Sequence, residues 1–523
     1  EKGVKLDSLY GILRAMGAEK MPGSPDELQR VLEEQASRLR DMLGQRAALS
    51  TDDPQIAALA AAADRAIAEG AIQAARDFLD QAVARVEQDE PAVDELEDLL
   101  RKKRIADAAV YAKRADASAL AFAFRDAAAD YGKAYELVSK WDEKLAWNYK
   151  NLQAEALHSL GGSTADKRAL EEAFAAYQVV LDMLPNGEKA EEWARTRNNM
   201  AVVLNTLGER EEGNDNLLRA KAIFEETLPI LEAAGDDASW AAAQNNIGNV
   251  LYVVGQRAGD SDMILAAIAA HRAALEKRPR DAEPKAWAAS QGNIGLVTAA
   301  LAELRPDLAS YEDAEAAYRA ALEVLTRETY PVDWAMVQNN LGNTLMGLGK
   351  RRNDPSYFGK AAEAFEASLG VRDKQTWPFQ HAMTQMHLGN AYAALGQHDW
   401  WGTSNLEKAR AAFEAALPLL DRDRVPIDWA AAQNNLGIAL QTLGQKSSDA
   451  AVLQASAQAF RDAGTAYPRD KLPLDWAMTQ YNLGNTLKLL AALASDPEAY
   501  RQAADAYRAS LEEFTRERGP MQW

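Results

Sequence analysis

WAMVQNNLGNTL, residues 334–345, has near copies that begin at Trp240 (WAAAQNNIGNVL), Trp429 (WAAAQNNLGIAL) and Trp476 (WAMTQYNLGNTL). Seven tryptophans follow one another at spacings of 47, 47, 47, 95, 47 and 47 residues: Trp193, Trp240, Trp287, Trp334, Trp429, Trp476 and Trp523. The spacing of 95 residues corresponds to two repeats, with His381 at the position between them. Self-similarity at a fixed period predicts an array of structural repeats.

Each repeat is predicted to contain two helices. In the unit that begins at Trp334, an apolar stripe continues at helical spacing through Leu341 and Leu348. A second helix follows and carries Ala361 and Phe365 at the same kind of spacing. No segment shows the alternation that is typical of a strand. The pattern therefore predicts an all-α fold, in which the repeated tryptophans belong to the core.

Helix ends can be placed from capping and turn residues. We expect Asp333 to be the N-cap of the helix that carries Trp334, with Pro331 just outside it. Asp428 and Asp475 repeat this arrangement two and three units further along the array, respectively. Gly349 is expected to mark the end of the first helix, because glycine is the preferred residue just beyond a helix.

The pattern N-L-G-N-x-L-x-x-x-G followed by A-x-x-x-[YF]-x-x-[AS]-L resembles the tetratricopeptide repeat. It is most similar to the longer-helix variety found in kinesin light chains and many bacterial proteins. The usual unit has about 34 residues, whereas this one has 47. We expect part of the excess to form a longer loop between Gly349 and Ala361. The resemblance implies a right-handed α-solenoid of about ten antiparallel helix pairs with an N-terminal helical segment.

Three regions follow from these patterns. Residues 1–50 do not fit the repeat, and the capping box at residues 24–27 predicts a helical cap or connector. Residues 51–146 fit divergent helix pairs of the same kind, and residues 147–523 form the array of 47-residue repeats. Because Trp523 stands at the first turn of another unit, we expect the native array to continue beyond it.

Composition limits the classes of partner. The chain has 523 residues, no cysteine and a formal net charge of −20. Such a charge disfavours nucleic acid, since binding there depends on lysine and arginine at the phosphates. No run of apolar residues is long enough to cross a membrane. Disulfides and thiolate chemistry are excluded, and we expect a cytoplasmic location.

Candidate catalytic and metal-binding groups are scarce. The five histidines include His381 and His387, whose spacing of six residues on one helix does not suit a shared metal ion. No phosphate-binding loop, dinucleotide fingerprint, zinc-protease motif or nucleophile elbow occurs. The sequence therefore predicts no enzyme, no catalytic residues, no cofactor and no metal site.

Asparagines recur five, six and nine residues after the tryptophan position. The resemblance implies that the first helix of each pair lines a concave surface. Each carboxamide offers donors and an acceptor, so a row of them suits an extended peptide backbone. The same side chains could instead bond neighbouring helices, and both readings stay open. The predicted groove residues are Asn198, Asn199, Asn245, Asn246, Asn249, Asn293, Asn339, Asn340, Asn343, Asn390, Asn434, Asn435, Asn482 and Asn485.

One unit departs from the others and suggests a second contact surface. His387 replaces one of its asparagines, and Trp400 and Trp401 stand in the loop that follows. Exposed aromatic residues commonly anchor protein contacts, although a local packing variant would also explain them. Basic residues also recur in the predicted loops at one offset from the tryptophan position, and we interpret them as partners of loop acids and not as a phosphate site: Arg210, Arg257, Arg351 and Lys446.

The leading hypothesis is a protein–protein interaction scaffold that binds an extended peptide or a partner protein in the asparagine-lined groove. A first alternative is the sensor or regulatory arm of a larger multidomain signalling or effector protein, which the lack of an initiator methionine favours. A second alternative is a structural scaffold that self-associates end to end, since an uncapped array exposes an apolar face.

Overall fold

The chain is all α wherever the structure, a computed structural model, describes it: residues 53–86, 96–164, 166–184, 189–305, 307–399, 402–516 and 518. These residues contain twenty α-helices, one short 3-10 helix and no strand. The helix predicted within residues 1–50 and Trp523 lie outside them. The α-helices are α1 Pro54–Ala68, α2 Ile72–Val86, α3 Leu96–Leu120, α4 Phe124–Val138, α5 Glu143–Thr164, α6 Lys167–Asp182, α7 Ala190–Glu209, α8 Asp215–Ala234, α9 Asp237–Ala258, α10 Ser261–Glu276, α11 Pro284–Leu304, α12 Leu308–Leu322, α13 Pro331–Arg352, α14 Ser356–Leu369, α15 Pro378–His398, α16 Ser404–Ala416, α17 Pro426–Ser447, α18 Ala450–Ala466, α19 Pro473–Ala494 and α20 Pro497–Leu511.

The helices form ten consecutive antiparallel pairs, from pair 1 (α1 and α2) to pair 10 (α19 and α20). This confirms the predicted all-α solenoid of helix pairs. The chain divides into two compact units between Ala282 and Glu283, so that pairs 1–5 belong to one unit and pairs 6–10 to the other. Inside each unit a second helix packs on its own first helix and on the first helix of the next pair.

First helices of successive pairs also contact one another. In the first unit α5 contacts α7 and α7 contacts α9, and in the second unit the contacts run from α11 through α13, α15 and α17 to α19. A first helix in the interior of a unit, such as α7 or α13, is therefore covered by its own second helix, the preceding second helix and its neighbouring first helices. One face of such a first helix is left uncovered by other helices, and within a unit these uncovered faces lie side by side.

The start of each long first helix in pairs 7, 9 and 10 is a proline, which corrects the expected cap. Helix α13 begins at Pro331 with Tyr330 in the N-cap position, and Asp333 lies inside the first turn. Asp428 and Asp475 lie inside the first turns of α17 and α19 in the same way. Proline suits the first helical position because it has no N–H to satisfy. The carboxylate then stabilises the positive end of the helix dipole.

The end of the first helix also differs from the prediction. Helix α13 continues past Gly349 to Arg352 and stops at Asn353, whose φ of 52° is left-handed. Gly349 has a packing role instead, because an added Cβ would lie 2.5 Å from the Phe358 ring. Only residues 353–355 separate the two helices. The expected longer loop is therefore wrong, and the additional residues there lengthen α13.

A glycine of the first helix lies against an aromatic ring of the second helix in pairs 5–10. A Cβ added to the glycine would come within 2.5–2.8 Å of the nearest ring atom in all six pairs. Only glycine allows two helices to approach so closely without a shift of either. The six contacts are Gly248 with His271, Gly295 with Tyr318, Gly342 with Phe365, Gly389 with Phe413, Gly437 with Phe460 and Gly484 with Tyr507.

The repeated tryptophans lie at the edge of the core rather than at its centre. Trp193, for example, is half-buried and packs against the buried cluster of the first unit. In pair 8, where His381 takes the tryptophan position, the fully buried Trp377 lies one turn earlier. A cation of the same chain lies over the ring of several of these tryptophans: Arg197 over Trp193 at 5.4 Å, Lys277 over Trp240 at 4.6 Å, Arg422 over Trp429 at 5.1 Å and Arg469 over Trp476 at 4.3 Å from the ring centroid.

Three of the recurring basic residues bind backbone, not loop acids. Arg210 donates to the carbonyl oxygens of Gly161 and Gly162, at 2.8 and 3.0 Å. Arg257 and Lys446 reach the corresponding carbonyls of their preceding first helices. The last carbonyls of a helix have no partner within it and carry its negative dipole end. These side chains therefore join successive pairs by capping the C-terminus of the preceding first helix.

Substitution of Gly342 by alanine should destabilise the array. The new Cβ would meet the Phe365 ring at 2.5 Å, so the two helices must move apart. We expect the free energy of unfolding to fall by about 1–3 kcal/mol, as measured by urea unfolding followed by circular dichroism.

Gly359→Ala is the matched control, because that glycine lies in α14 with no atom within 4 Å of an added Cβ. It should stabilise the helix by about 0.5–1 kcal/mol. Ala154 and Ala201 stand at the equivalent position in pairs 3 and 4. If Gly342→Ala and Gly359→Ala changed the free energy of unfolding by the same amount, pair 7 would accommodate a methyl group as pairs 3 and 4 do. The proposed constraint would then be wrong.

Candidate functional site

The exposed face of the first helices is the candidate site, and we call it the first-helix surface of each unit. On α13 it presents Met336, Asn343 and Lys350, all exposed and seven residues apart along one helix face. Their side chains are not buried by the packing between helices. A surface that the fold itself leaves uncovered, and that repeats from pair to pair, is suited to recognition.

Asparagines five residues after the tryptophan position take part in packing. In pair 4, Asn198 is buried and its Oδ1 accepts a 2.6 Å hydrogen bond from the Thr227 hydroxyl of α8. In pair 5, Asn245 Oδ1 lies 3.2 Å from Nδ1 of His271 in α10. These carboxamides join a first helix to the second helix of the same pair.

The corresponding asparagines of the second unit join successive first helices instead. Asn339 Oδ1 accepts a 3.2 Å hydrogen bond from the Thr384 hydroxyl and lies 3.3 Å from His387 Nδ1, both on α15. Asn434 Oδ1 lies 3.5 Å from Asn482 Nδ2 of α19. Part of the predicted groove row therefore links the repeats to one another.

The other predicted asparagines differ from one another in their partners. Asn340 lies 3.5 Å from Asn339, Asn485 accepts a 2.8 Å hydrogen bond from the Tyr507 hydroxyl, and Asn293 is half-buried. Asn199 and Asn343 are exposed, whereas Asn246, Asn249, Asn390 and Asn435 are half-buried. Of the fourteen predicted groove asparagines, all of which the structure describes, six have side chains that make no hydrogen bond to other described residues: Asn199, Asn246, Asn249, Asn343, Asn390 and Asn435.

His387 is held inside the fold of its unit. Its ring lies 5.5 Å from the Phe365 ring and close to Asn339, so that it is only partly accessible. Burial, together with the positive charge of Arg372, lowers the pKa of His387 to about 4. It is therefore neutral near pH 7. Residues 400–401, the tryptophans of the predicted second contact surface, lie outside the described residues.

His271 is a buried group that sequence reasoning missed. It is fully buried, at the position where pairs 6–10 have tyrosine or phenylalanine. Its Nε2 faces Gly248 and has no hydrogen-bond partner among the described residues. Burial, together with the charge of Arg278, lowers its pKa to about 4. The signal was present in the sequence, since His271 stands 47 residues before Tyr318.

The described ranges offer neither a metal site nor a membrane span. No group of three or more histidine, aspartate or glutamate side chains there is placed to hold a metal ion. None of the helices in those ranges has the length and apolar character needed to cross a membrane.

Comparison with known proteins gives matches at the level of structure only. No family model and no curated protein matches the sequence. BtubC (BKLC) from P. vanneervenii is 21% identical, with 48% of this chain and 91% of that chain covered and a TM-score of 0.34. The apo form of RapI is 15% identical, with 79% and 99% covered and a TM-score of 0.45.

A third similar structure is a signal transduction ATPase with numerous domains from Pyrococcus horikoshii, which has a tetratricopeptide repeat sensor. It is 12% identical, with 98% of this chain and 73% of that chain covered and a TM-score of 0.49. Likeness at such identities concerns the fold alone. What this chain binds must be argued from its own residues.

The pKa of His271 predicts an acid-sensitive contribution to stability. The unfolded imidazole takes up a proton near its ordinary pKa of about 6.5, whereas the folded one resists protonation down to about 4. Stability is therefore complete above pH 6.5 and falls as the pH decreases toward 4. The loss from this one group is about 3 kcal/mol.

His271→Phe should remove that loss, because phenylalanine fills the same position in pairs 4, 7, 8 and 9. The measurement is the unfolding midpoint of both proteins from pH 8 to pH 4.5. Parallel profiles for wild type and His271→Phe would contradict the assignment.

Proposed function

We propose that this chain is a protein–protein interaction scaffold, and that an extended peptide or a partner protein binds its first-helix surface. One observation carries the proposal. Six asparagine side chains at repeated positions of the first helices make no hydrogen bond within the described chain. Their donors and acceptors are therefore available to a partner.

The chemistry of these groups suits a polypeptide backbone. An extended chain offers N–H and C=O groups that are not used within it, and an asparagine carboxamide can pair with both. The repeat brings equivalent asparagines to successive first helices, so a peptide that crosses several pairs would meet the same groups at each step. Such contacts give affinity, and the neighbouring side chains give selectivity.

Nucleic acid is a less suitable partner for this surface. The chain has a formal net charge of −20, and phosphates are bound mainly by lysine and arginine. A regulatory arm of a larger protein would need the same surface to bind its partner, so the experiment below also applies to that alternative. A self-assembling scaffold would use the ends of the array, and sedimentation at increasing concentration would detect it.

Replacement of three free asparagines of the second unit should abolish binding without unfolding the array. The variant combines Asn343→Ala, Asn390→Ala and Asn435→Ala, and none of the three side chains bonds to the described chain. We expect capture of the native partner from lysate to fall at least about tenfold, since each lost hydrogen bond contributes about 1 kcal/mol. Capture would be quantified by mass spectrometry.

The matched control combines Asn405→Ala, Gln454→Ala and Gln502→Ala, three polar side chains on second helices of the same unit. It should capture the partner as the wild type does. Circular dichroism melting would show that both variants fold. If the asparagine variant retained the partner as well as the control does, binding would lie elsewhere on the chain.

A further inference from the structure

Large apolar side chains are exposed near the N-terminal ends of the first helices in the second unit. All stand two residues before or two residues after the tryptophan position, except Tyr481, which stands five after it. Each side chain is between 37% and 50% exposed, so the core does not use it. We call them the apolar row: Met336 of α13, Phe379 of α15, Ile427 of α17, and Leu474, Met478 and Tyr481 of α19.

The row occurs on four successive first helices. Helices α13, α15, α17 and α19 each contact the next, and the half-buried Met383 and Ala431 occupy the remaining row positions of α15 and α17. Contiguous exposed apolar surface in a folded protein typically marks an interaction site. Methionine side chains, as in Met336 and Met478, adapt to partners of different shape.

The packing of the repeats does not require large apolar residues at these positions. The same two positions hold Glu191 and Arg195 in α7, and Ala238 and Ala242 in α9. These first helices pack on their neighbours as α13 to α19 do. The apolar residues of the second unit therefore serve something other than the stacking of pairs.

Carboxylates accompany the row and indicate the charge of its partner. Asp428 and Asp475 directly follow Ile427 and Leu474, and neither has an ion pair within 4.0 Å among the described residues. Asp333 holds the equivalent place in α13 and lies 3.6 Å from Lys285. A partner that brings positive charge to Asp428 and Asp475 would gain complementarity there.

Tyr467, in the connection that precedes α19, gives independent evidence that these two carboxylates share one neighbourhood. Burial first, and then the negative charges of Asp475 and Asp428, raise the pKa of Tyr467 to about 12. Two carboxylates from successive pairs thus act on one phenol.

We infer that the apolar row binds an extended basic segment of a partner protein, with an apolar side chain at about every third residue. This inference rests on the proposed function and adds the chemical class of the ligand. Packed helices lie about 8–10 Å apart. A polyproline II strand advances about 9 Å in three residues, so equivalent side chains would meet successive first helices.

The test uses three fluorescent peptides of about 12 residues, the length that spans four helices. One places leucine at every third position among lysines, the second replaces the lysines by glutamates, and the third replaces the leucines by serines. Affinities would be measured by fluorescence anisotropy with the whole 523-residue chain. The first peptide should bind at least about tenfold tighter than the other two. Equal binding of either control peptide would overturn the inference.

Substitutions in the apolar row and at the neighbouring carboxylates test whether the peptide binds at this surface. Ile427→Ser with Met478→Ser should weaken the lysine–leucine peptide at least about tenfold. Asp428→Asn with Asp475→Asn should weaken it several-fold and reduce its salt dependence. The replaced apolar side chains are exposed, so the melting temperature should not change. Unchanged affinity in the serine variant would place the peptide elsewhere and overturn the inference.

The same two row positions of α9 supply the matched control, Ala238→Ser with Ala242→Ser. This variant should bind the lysine–leucine peptide like the wild type, and an equal loss of affinity in it would contradict the assignment to the second unit. The asparagine triple variant separates the two proposals. If no peptide binds while that variant still loses the native partner, the inference is wrong and the proposed function stands. If the native partner is also retained, both are wrong.

Discussion

The close contact between a glycine of the first helix and an aromatic ring of the second is the constraint on which pairs 5–10 depend. With less than 3 Å available to an added Cβ, the two helices cannot separate or rotate without loss of packing. The fixed spacing decides which side of the first helix is buried. By the same geometry, it decides which side remains open to solvent.

Contacts between successive pairs use polar side chains at repeated positions. Arg257 and Lys446 cap the preceding first helix through its carbonyl oxygens, and Asn339 and Asn434 bond to the next first helix. A long array therefore does not rely on apolar burial alone to hold its pairs together. The asparagines therefore fall into two groups, because those that form hydrogen bonds between helices are not available to a partner.

The two units carry different surfaces on one repeat. The second unit presents the apolar row beside carboxylates, whereas α7 and α9 of the first unit have charged or small residues at the row positions. His271 in the first unit shows that even a contact of the core can vary, at the cost of a histidine held neutral by burial. The positions that face solvent therefore differ between the two units, and one position that fixes the spacing of the helices differs as well.

The sequence by itself determined the all-α class, the period of 47 residues and the ten helix pairs, because helical spacing and repetition are local properties that a single chain displays. The sequence pattern predicted the wrong ends for the first helix. Gly349, for example, packs against the ring of Phe358 and does not form a turn. Only the tertiary structure separated bonded from free asparagines and revealed the exposure of the apolar row. Residue type and spacing place a side chain on a helix face, but its partners come from helices that are distant in sequence.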